Sequence, residues 1–122
     1  MKFTLKGTQL EITSALEVYL HDKIIAPLEK RLKGQAKAGT VIVDIELARE
    51  GRHHHKGEVF RAEATVSIPP RQRVRIVEKA EDIRAAIDLL EEALMRKLEL
   101  VKEKTVLAPR RIQRKAKGML YE

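Results

Sequence analysis

The stretch between Glu81 and Lys104 constrains the fold of this chain more than any other, because its apolar residues recur at the spacing of an α-helix. The intervals between them are three or four residues, so they share one stripe of the helix, which must be buried. Asp82 precedes the stripe, where its carboxylate can accept hydrogen bonds from the first turn and predicts the helix start. The stripe consists of Ile83, Ile87, Leu90, Leu94, Leu98 and Val101.

The length of the chain and its lack of cysteine limit what it can be. A chain of 122 residues suits one domain. Without cysteine, disulfides, zinc–thiolate sites and thiol nucleophiles are excluded. No apolar run approaches the ~20 residues of a membrane span, and the N-terminus alternates instead of forming a signal-peptide core. We therefore expect a cytoplasmic protein that does not associate with membranes.

The positive charge of the chain is concentrated in two segments. Residues 69–79 carry a net charge of +3 and residues 109–122 carry +4, while the charges elsewhere balance. Local positive excess favours a polyanionic partner such as nucleic acid, although solvated surface charge explains it equally well. The chain has only two Phe, two Tyr and no Trp. This composition favours recognition of the nucleic-acid backbone and of its shape over stacking on the bases.

Shorter periodic segments predict one more helix and four strands. Alternating apolar and polar residues are typical of half-buried strands, whereas a spacing of three and four indicates the helix. Pro27 lies inside this helix and predicts a kink or a restart, because it has no N–H to donate. Thr13 or Ser14 can cap its first turn. The strands fall at 1–7, 40–49, 58–68 and in a shorter segment around 73–76, and the helix falls at 14–33.

This order predicts an α+β fold, β-α-β-β-β-α, in which both helices pack on one face of a four-stranded sheet. The last three strands are joined by short connections and are expected to form an antiparallel meander. Beyond Lys104 the apolar period ends, and Pro109 interrupts the chain. We therefore predict a folded domain at residues 1–104 and a flexible basic tail at residues 105–122.

Three consecutive histidines, His53, His54 and His55, are the most evident candidate for a metal site. Adjacent side chains diverge, so they cannot converge on one ion as helical ligands four residues apart do. The chain also has no glycine-rich phosphate loop and no nucleophile motif. We predict no metal, no cofactor, no small-molecule substrate and no enzymatic activity. A metal-dependent enzyme using the three histidines is the least favoured alternative.

These exclusions leave a surface for a macromolecular partner. Basic residues in the second half of the 81–104 helix, together with Lys23 and Lys30, would form one basic strip if the two helices packed side by side. A solvated polar face with ion pairs such as Glu92 and Arg96 explains the same pattern. A protein-interaction module that uses the outer face of the sheet is a further alternative.

Several segments resemble the ribosome hibernation promoting factor family, also described as ribosome-associated translation inhibitors or ribosomal subunit interface proteins. The resemblance covers roughly residues 1–104, and its most specific segment is Ala80–Asp88, AEDIRAAID. The other matching segments are EITSAL at 11–16, Lys23 followed by LEK at 28–30, and HHHKGEVFRAEATVSIP at 53–69.

The resemblance implies a fold similar to double-stranded RNA-binding domains and binding to the ribosomal RNA of the small subunit, between its head and body. There the protein would occupy the path of messenger RNA and the anticodon ends of tRNA, and would inhibit translation during hibernation or stress. It also implies the short form of the family, which we expect to be a monomer. RNA contacts are carried over to basic residues of the two helices, namely Lys23, Lys30, Arg84, Arg96, Lys97, Lys102 and Lys104.

The chain departs from the family pattern at a few positions. Ala93 and Leu100 stand where lysine is common, Arg84 replaces a tyrosine, and Pro27 interrupts the first helix. These departures bear on individual RNA contacts and not on the predicted fold.

Overall fold

The computed structural model describes residues 1–51 and 59–118, with the backbone alone for residue 38 and residues 101–118. Within these ranges the chain forms four strands and three α-helices, with a π-helical turn between the first two helices. The elements in chain order are β1 (Lys2–Thr8), α1 (Ser14–Leu20), the π-helical turn (His21–Ile25), α2 (Ala26–Arg31), a 3-10 helix (Gln35–Ala38), β2 (Ile42–Glu50), β3 (Val59–Ile68), β4 (Gln72–Ala80) and α3 (Ile83–Gly118).

The four strands form one mixed sheet in the order β1-β2-β3-β4. β1 and β2 pair in parallel, whereas β2, β3 and β4 pair antiparallel. A parallel pair needs a crossover connection, which α1 and α2 supply. The predicted α+β fold, with its β-α-β-β-β-α order and its antiparallel meander, is confirmed.

The face of the sheet that meets the helices is apolar. Alternate residues of β2 and β3 are buried there, as the pleat of a strand requires, and α3 adds a stripe at helical spacing. Burial of one such large side chain stabilises the fold by about 1.5–3 kcal/mol. The core includes Val41, Val43, Ile45, Leu47, Ala62, Ala64, Val66, Ile68, Ile87, Leu90, Leu94 and Leu98.

Side chains cap the starts of both predicted helices. The Oγ1 of Thr13 accepts a hydrogen bond from the backbone N–H of Leu16 at 3.1 Å, so the first of the two predicted candidates is the cap. Asp82 accepts from the N–H groups of Arg84 and Ala85 at 3.0 and 3.3 Å, as predicted. These bonds satisfy donors that the first turn of a helix leaves without partners.

The first predicted helix is irregular immediately before Pro27. In the π-helical turn the N–H of Ala26 donates to the carbonyl of His21, one residue further back than in an α-helix. The wider turn accommodates an extra residue, and the neighbouring side chains of Ile24 and Ile25 are both buried. Pro27 then lies in the first turn of α2, where a missing N–H costs little. This is the restart that the proline predicts.

Two elements are longer than their sequence patterns indicate. β4 spans nine residues because it pairs with β3 along its full length. Its alternation is hidden in the sequence, since Glu78 lies on the helix side and Val77 on the outer side. α3 continues through Pro109 to Gly118, in a run of mostly strong helix formers. The flexibility of residues 105–122 stays a prediction.

Candidate nucleic-acid interface

The two helical layers lie side by side and run in the same direction. The Oη of Tyr19 donates to Oδ1 of Asp88 at 2.5 Å, and further along the same contact Arg31 pairs with Glu99. Residue numbers therefore rise together along both layers. Because the layers are parallel, the end of α2 and residues 92–100 of α3 reach the same end of the domain.

The strands bring further residues to this end. Lys2 pairs with Ile42 at the start of β2. The β3–β4 turn lies against the loop before β2, where a Cβ on Gly39 would be 3.2 Å from ring atoms of Pro69. We call this part of the domain the basic end and define it as residues 1–2, 29–42, 69–73 and 92–100.

The basic end carries a strong positive charge. It contains nine Lys and Arg and three carboxylates, a net charge of +6. The other described side chains include seven cations and twelve carboxylates, a net charge of −5. Such a charge distribution orients the domain toward a polyanion. The nine cations, all exposed, are Lys2, Lys30, Arg31, Lys33, Lys37, Arg71, Arg73, Arg96 and Lys97.

Cations at the basic end differ from the others in how they are neutralised. Among the residues that the structure describes, Arg31 alone of the nine forms an ion pair, with Glu99. Among the described cations elsewhere, Lys23, Arg61, Arg75 and Lys79 lie in ion pairs with described residues. Cations without an internal partner are available to an external anion and release counterions when they bind RNA.

Three of the seven predicted RNA-binding residues meet at the basic end. Lys30 lies on α2, and Arg96 and Lys97 lie on the facing length of α3, all of them exposed. Lys102 and Lys104 follow on α3, where the structure describes the backbone alone. They continue the same helix away from the basic end. Contact of these residues with RNA stays a prediction.

Lys23 and Arg84 lie between the helices instead. The Nζ of Lys23 is 3.6 Å from Asp88 and 3.3 Å from Glu91, and the hydrogen bond to Glu91 raises the pKa of Lys23. The guanidinium carbon of Arg84 lies 4.7 Å from the ring centroid of Tyr19, a cation–π contact. The hydrogen bond to Asp88 raises the pKa of Tyr19. These contacts hold the helices parallel, and any role of Lys23 and Arg84 toward RNA stays a prediction.

Sequence reasoning missed the cations that the topology adds to the basic end. The excess charge of residues 69–79 was visible, but its proximity to the helix ends was not. The chain reverses direction at each connection, so the β3–β4 turn lies beside the end of α2. The element order could have indicated this proximity. The added residues are Lys2, Arg31, Lys33, Lys37, Arg71 and Arg73.

On the outer face of the sheet, the charge of Arg61 is neutralised by three carboxylates. Its guanidinium nitrogens lie 3.5 Å from Glu46, 3.1 Å from Glu50 and 2.7 Å from Glu63. The hydrogen bond from Thr8, and then that from Arg61, lowers the pKa of Glu46. Arg61, on β3, therefore links its own strand to β2.

We expect Arg61→Gln to lower the free energy of unfolding by about 2 kcal/mol near neutral pH, because it leaves three carboxylates without their shared partner. The pKa of Glu46 is below the ordinary glutamate value of 4.5, so this stabilisation is complete above that pH and is lost as the pH falls through the folded-state pKa. Urea unfolding of both proteins at about pH 7 and about pH 3 measures the difference, which should shrink in acid.

The matched control for Arg61→Gln is Arg73→Gln. Arg73 lies on the same face of the sheet, is exposed, and forms no ion pair with a described residue. Its replacement should change the free energy of unfolding by less than about 0.5 kcal/mol. Equal effects of the two substitutions would contradict a structural role for the Arg61 ion pairs.

The described residues offer no alternative site for a metal. None of them forms a group of three or more His, Cys, Asp or Glu that could hold a metal ion. His53, His54 and His55 lie outside the described residues, so the absence of a metal there stays a prediction.

Among the helices that the structure describes, none is long and apolar enough to cross a membrane.

Comparison with known proteins identifies the family of this chain. Residues 3–106 match the family described as sigma 54 modulation protein / S30EA ribosomal protein. The chain belongs to this family. Its members are ribosome-binding factors without enzymatic activity, which confirms the predicted family and the non-enzymatic character of the protein.

Two solved structures are similar to this S30EA family member. The crystal structure of the N-terminal domain of Thermus thermophilus Protein Y has 29% sequence identity and a TM-score of 0.61, over 82% of this chain and 94% of that chain. A ribosomal subunit interface protein from Coxiella burnetii has 18% identity and a TM-score of 0.65, over 85% and 100%, and supports the fold alone. No curated protein sequence matches the chain. The family match and the similar structure of Protein Y together show that the protein is ribosome-associated.

Proposed function

We propose that the protein binds the small ribosomal subunit with its basic end, in the channel for messenger RNA and tRNA, and thereby blocks translation. The supporting observation is the set of nine exposed cations at one end, eight of which form no ion pair with a described residue. Ribosomal RNA is the polyanion that a ribosome-associated protein meets. Lys30, Arg96 and Lys97 are the proposed contacts from the helices, continued along α3 by Lys102 and Lys104.

Inhibition would follow from occupation of the channel, with no bond made or broken. Among the side chains that the structure describes, those outside the basic end carry a net charge of −5, which favours an end-on approach because RNA repels this part and attracts the basic end. Lys23 and Arg84 would contribute by keeping the two helices parallel, so that their basic ends stay together. We further propose that the protein acts as a cytoplasmic monomer during hibernation or stress.

Co-sedimentation of the full chain with purified small subunits tests this proposal. With about six phosphate contacts, binding should weaken roughly a thousandfold between about 50 and 200 mM salt. Messenger RNA and tRNA bound beforehand should compete, because they would occupy the same channel. A protein that stays at the top of the gradient at low salt, or that binds equally well to filled subunits, would contradict the proposal.

A protein-interaction module on the outer face of the sheet has less support. Its charged side chains are largely paired with one another, as at Arg61. Among the described residues, the large exposed apolar side chains of this face are Ile42 on β2 and Val77 on β4, which β3 separates. They therefore form no continuous apolar patch. Recovery of a defined protein partner after nuclease treatment would favour this alternative.

A further inference from the structure

A small cleft opens at the basic end, between the β3–β4 turn and the loop before β2. Its volume is about 200 Å³. Gly39 has a φ of 151°, and a Cβ there would lie 3.2 Å from ring atoms of Pro69. Glycine thus permits the backbone conformation and close approach that form this wall. The cleft is lined by Thr40, Ser67, Ile68, Pro69, Pro70, Arg71 and Gln72.

The lining suits a phosphate group and its sugar. The hydroxyls of Thr40 and Ser67 can each donate one hydrogen bond to a phosphate oxygen. The guanidinium of Arg71 can donate two parallel N–H bonds, the arrangement that favours arginine in phosphate recognition. Pro69 and Pro70 add apolar rings against which a ribose can pack. No carboxylate lines the cleft, so no nearby negative charge opposes an anion.

The size and surroundings of the cleft favour a piece of a polymer over a free metabolite. Its volume is below the roughly 300 Å³ at which small-molecule sites begin. Arg71 is exposed and forms no ion pair with a described residue. Two more exposed cations flank the cleft: Arg73 follows Arg71 by two residues, and Lys37 precedes by two residues Gly39, which lies against Pro69. A phosphate bound here would therefore have neighbours that attract the next phosphates of the same strand.

We propose that this cleft is a second RNA contact, which holds one phosphate and the adjoining ribose of ribosomal RNA. The proposal rests on the proposed function for the identity of its partner. Arg71 binds the phosphate, and the hydroxyls of Thr40 and Ser67 fix its position. Since the turn and the helix ends lie at the same end of the domain, one folded RNA can contact both.

Two measurements on the full chain test the cleft. The first is a titration of isotope-labelled protein with a short oligouridylate, followed by amide chemical shifts. We expect shifts at Thr40, Ser67 and Arg71 that disappear in Arg71→Gln. The second is binding to small subunits, which Arg71→Gln should weaken roughly tenfold while reducing the slope of log affinity against log salt by about one. Lys6→Gln, an equal charge change at an exposed position of β1, should preserve both results.

The outcomes separate this inference from the proposed function. If the unaltered protein binds small subunits and Arg71→Gln binds them with the same affinity and salt slope, the cleft is rejected while the function stands. If the unaltered protein does not bind small subunits, the proposed function is rejected, and the oligouridylate titration alone shows whether the cleft binds RNA. The cleft is supported if its lining residues show chemical-shift changes in the unaltered protein and in Lys6→Gln but not in Arg71→Gln. The cleft is rejected if the unaltered protein shows no such changes.

Discussion

Replacement of Lys30, Lys33, Arg96 and Lys97 by glutamine should weaken binding to the small ribosomal subunit by at least about a hundredfold at near-physiological salt. Each of these exposed cations would neutralise one phosphate and release counterions, and the four act at one end of the domain. The slope of log affinity against log salt should become less steep by roughly three to four. Filter binding or co-sedimentation over a series of salt concentrations measures both quantities.

The control for this variant removes the same number of charges elsewhere. Lys6, Arg49, Arg75 and Lys79 lie outside the basic end, and exposed ion pairs contribute only about 0–1 kcal/mol each, so their joint replacement by glutamine should leave a folded protein. Its affinity should fall by only a few-fold, through the change in net charge. Equal losses in the two variants would mean that total charge, and not the basic end, governs binding.

Leu94→Ala should lower the free energy of unfolding by about 3 kcal/mol, a large part of the stability of a domain of this size. Leu94 is completely buried on α3, where it packs against the apolar face of the sheet. Truncation removes buried apolar surface and leaves a cavity that the sheet and the helix cannot both close. Urea unfolding followed by far-ultraviolet circular dichroism measures this loss.

Leu89→Ala provides the matched control on the same helix. The side chain of Leu89 is 41% exposed, so its truncation should change the free energy of unfolding by less than about 0.5 kcal/mol. Similar losses in the two variants would contradict the placement of the buried stripe on α3. Similar slopes of the unfolding curves would indicate that both proteins unfold from the same compact state.

Much of the fold could be predicted because the strongest patterns are local. Alternation in β2 and β3 reports which residues face the helices, and Asp82 is separated from the N–H groups that it caps by only two and three residues. The π-helical turn was not predictable in type, since Pro27 indicates an irregular helix but not the hydrogen bonds that replace the missing one. The length of β4 was hidden because Val77 and Glu78 reverse the alternation that marks the rest of the strand.

The candidate site was less accessible from the sequence. Basic residues of the helices, such as Lys30 and Arg96, were found through the family resemblance and the charge of the helix ends. The ion pairs of Lys23 were not foreseen, because Asp88 and Glu91 lie far from it in the chain. Arg71 belongs to a segment of visible positive charge, yet nothing in that segment indicates that it lies beside the loop before β2.

The sequence by itself determined the buried faces of β2, β3 and α3, where the helices begin, and the family to which the chain belongs, because periodicity, capping and motif are properties of neighbouring residues. The tertiary structure decided the parallel pairing of β1 with β2, the common direction of the helices, and the gathering of nine cations at one end. These features depend on contacts between residues far apart in the chain. Electrostatic attraction acts through space, so the same charges count together only after folding has placed them together.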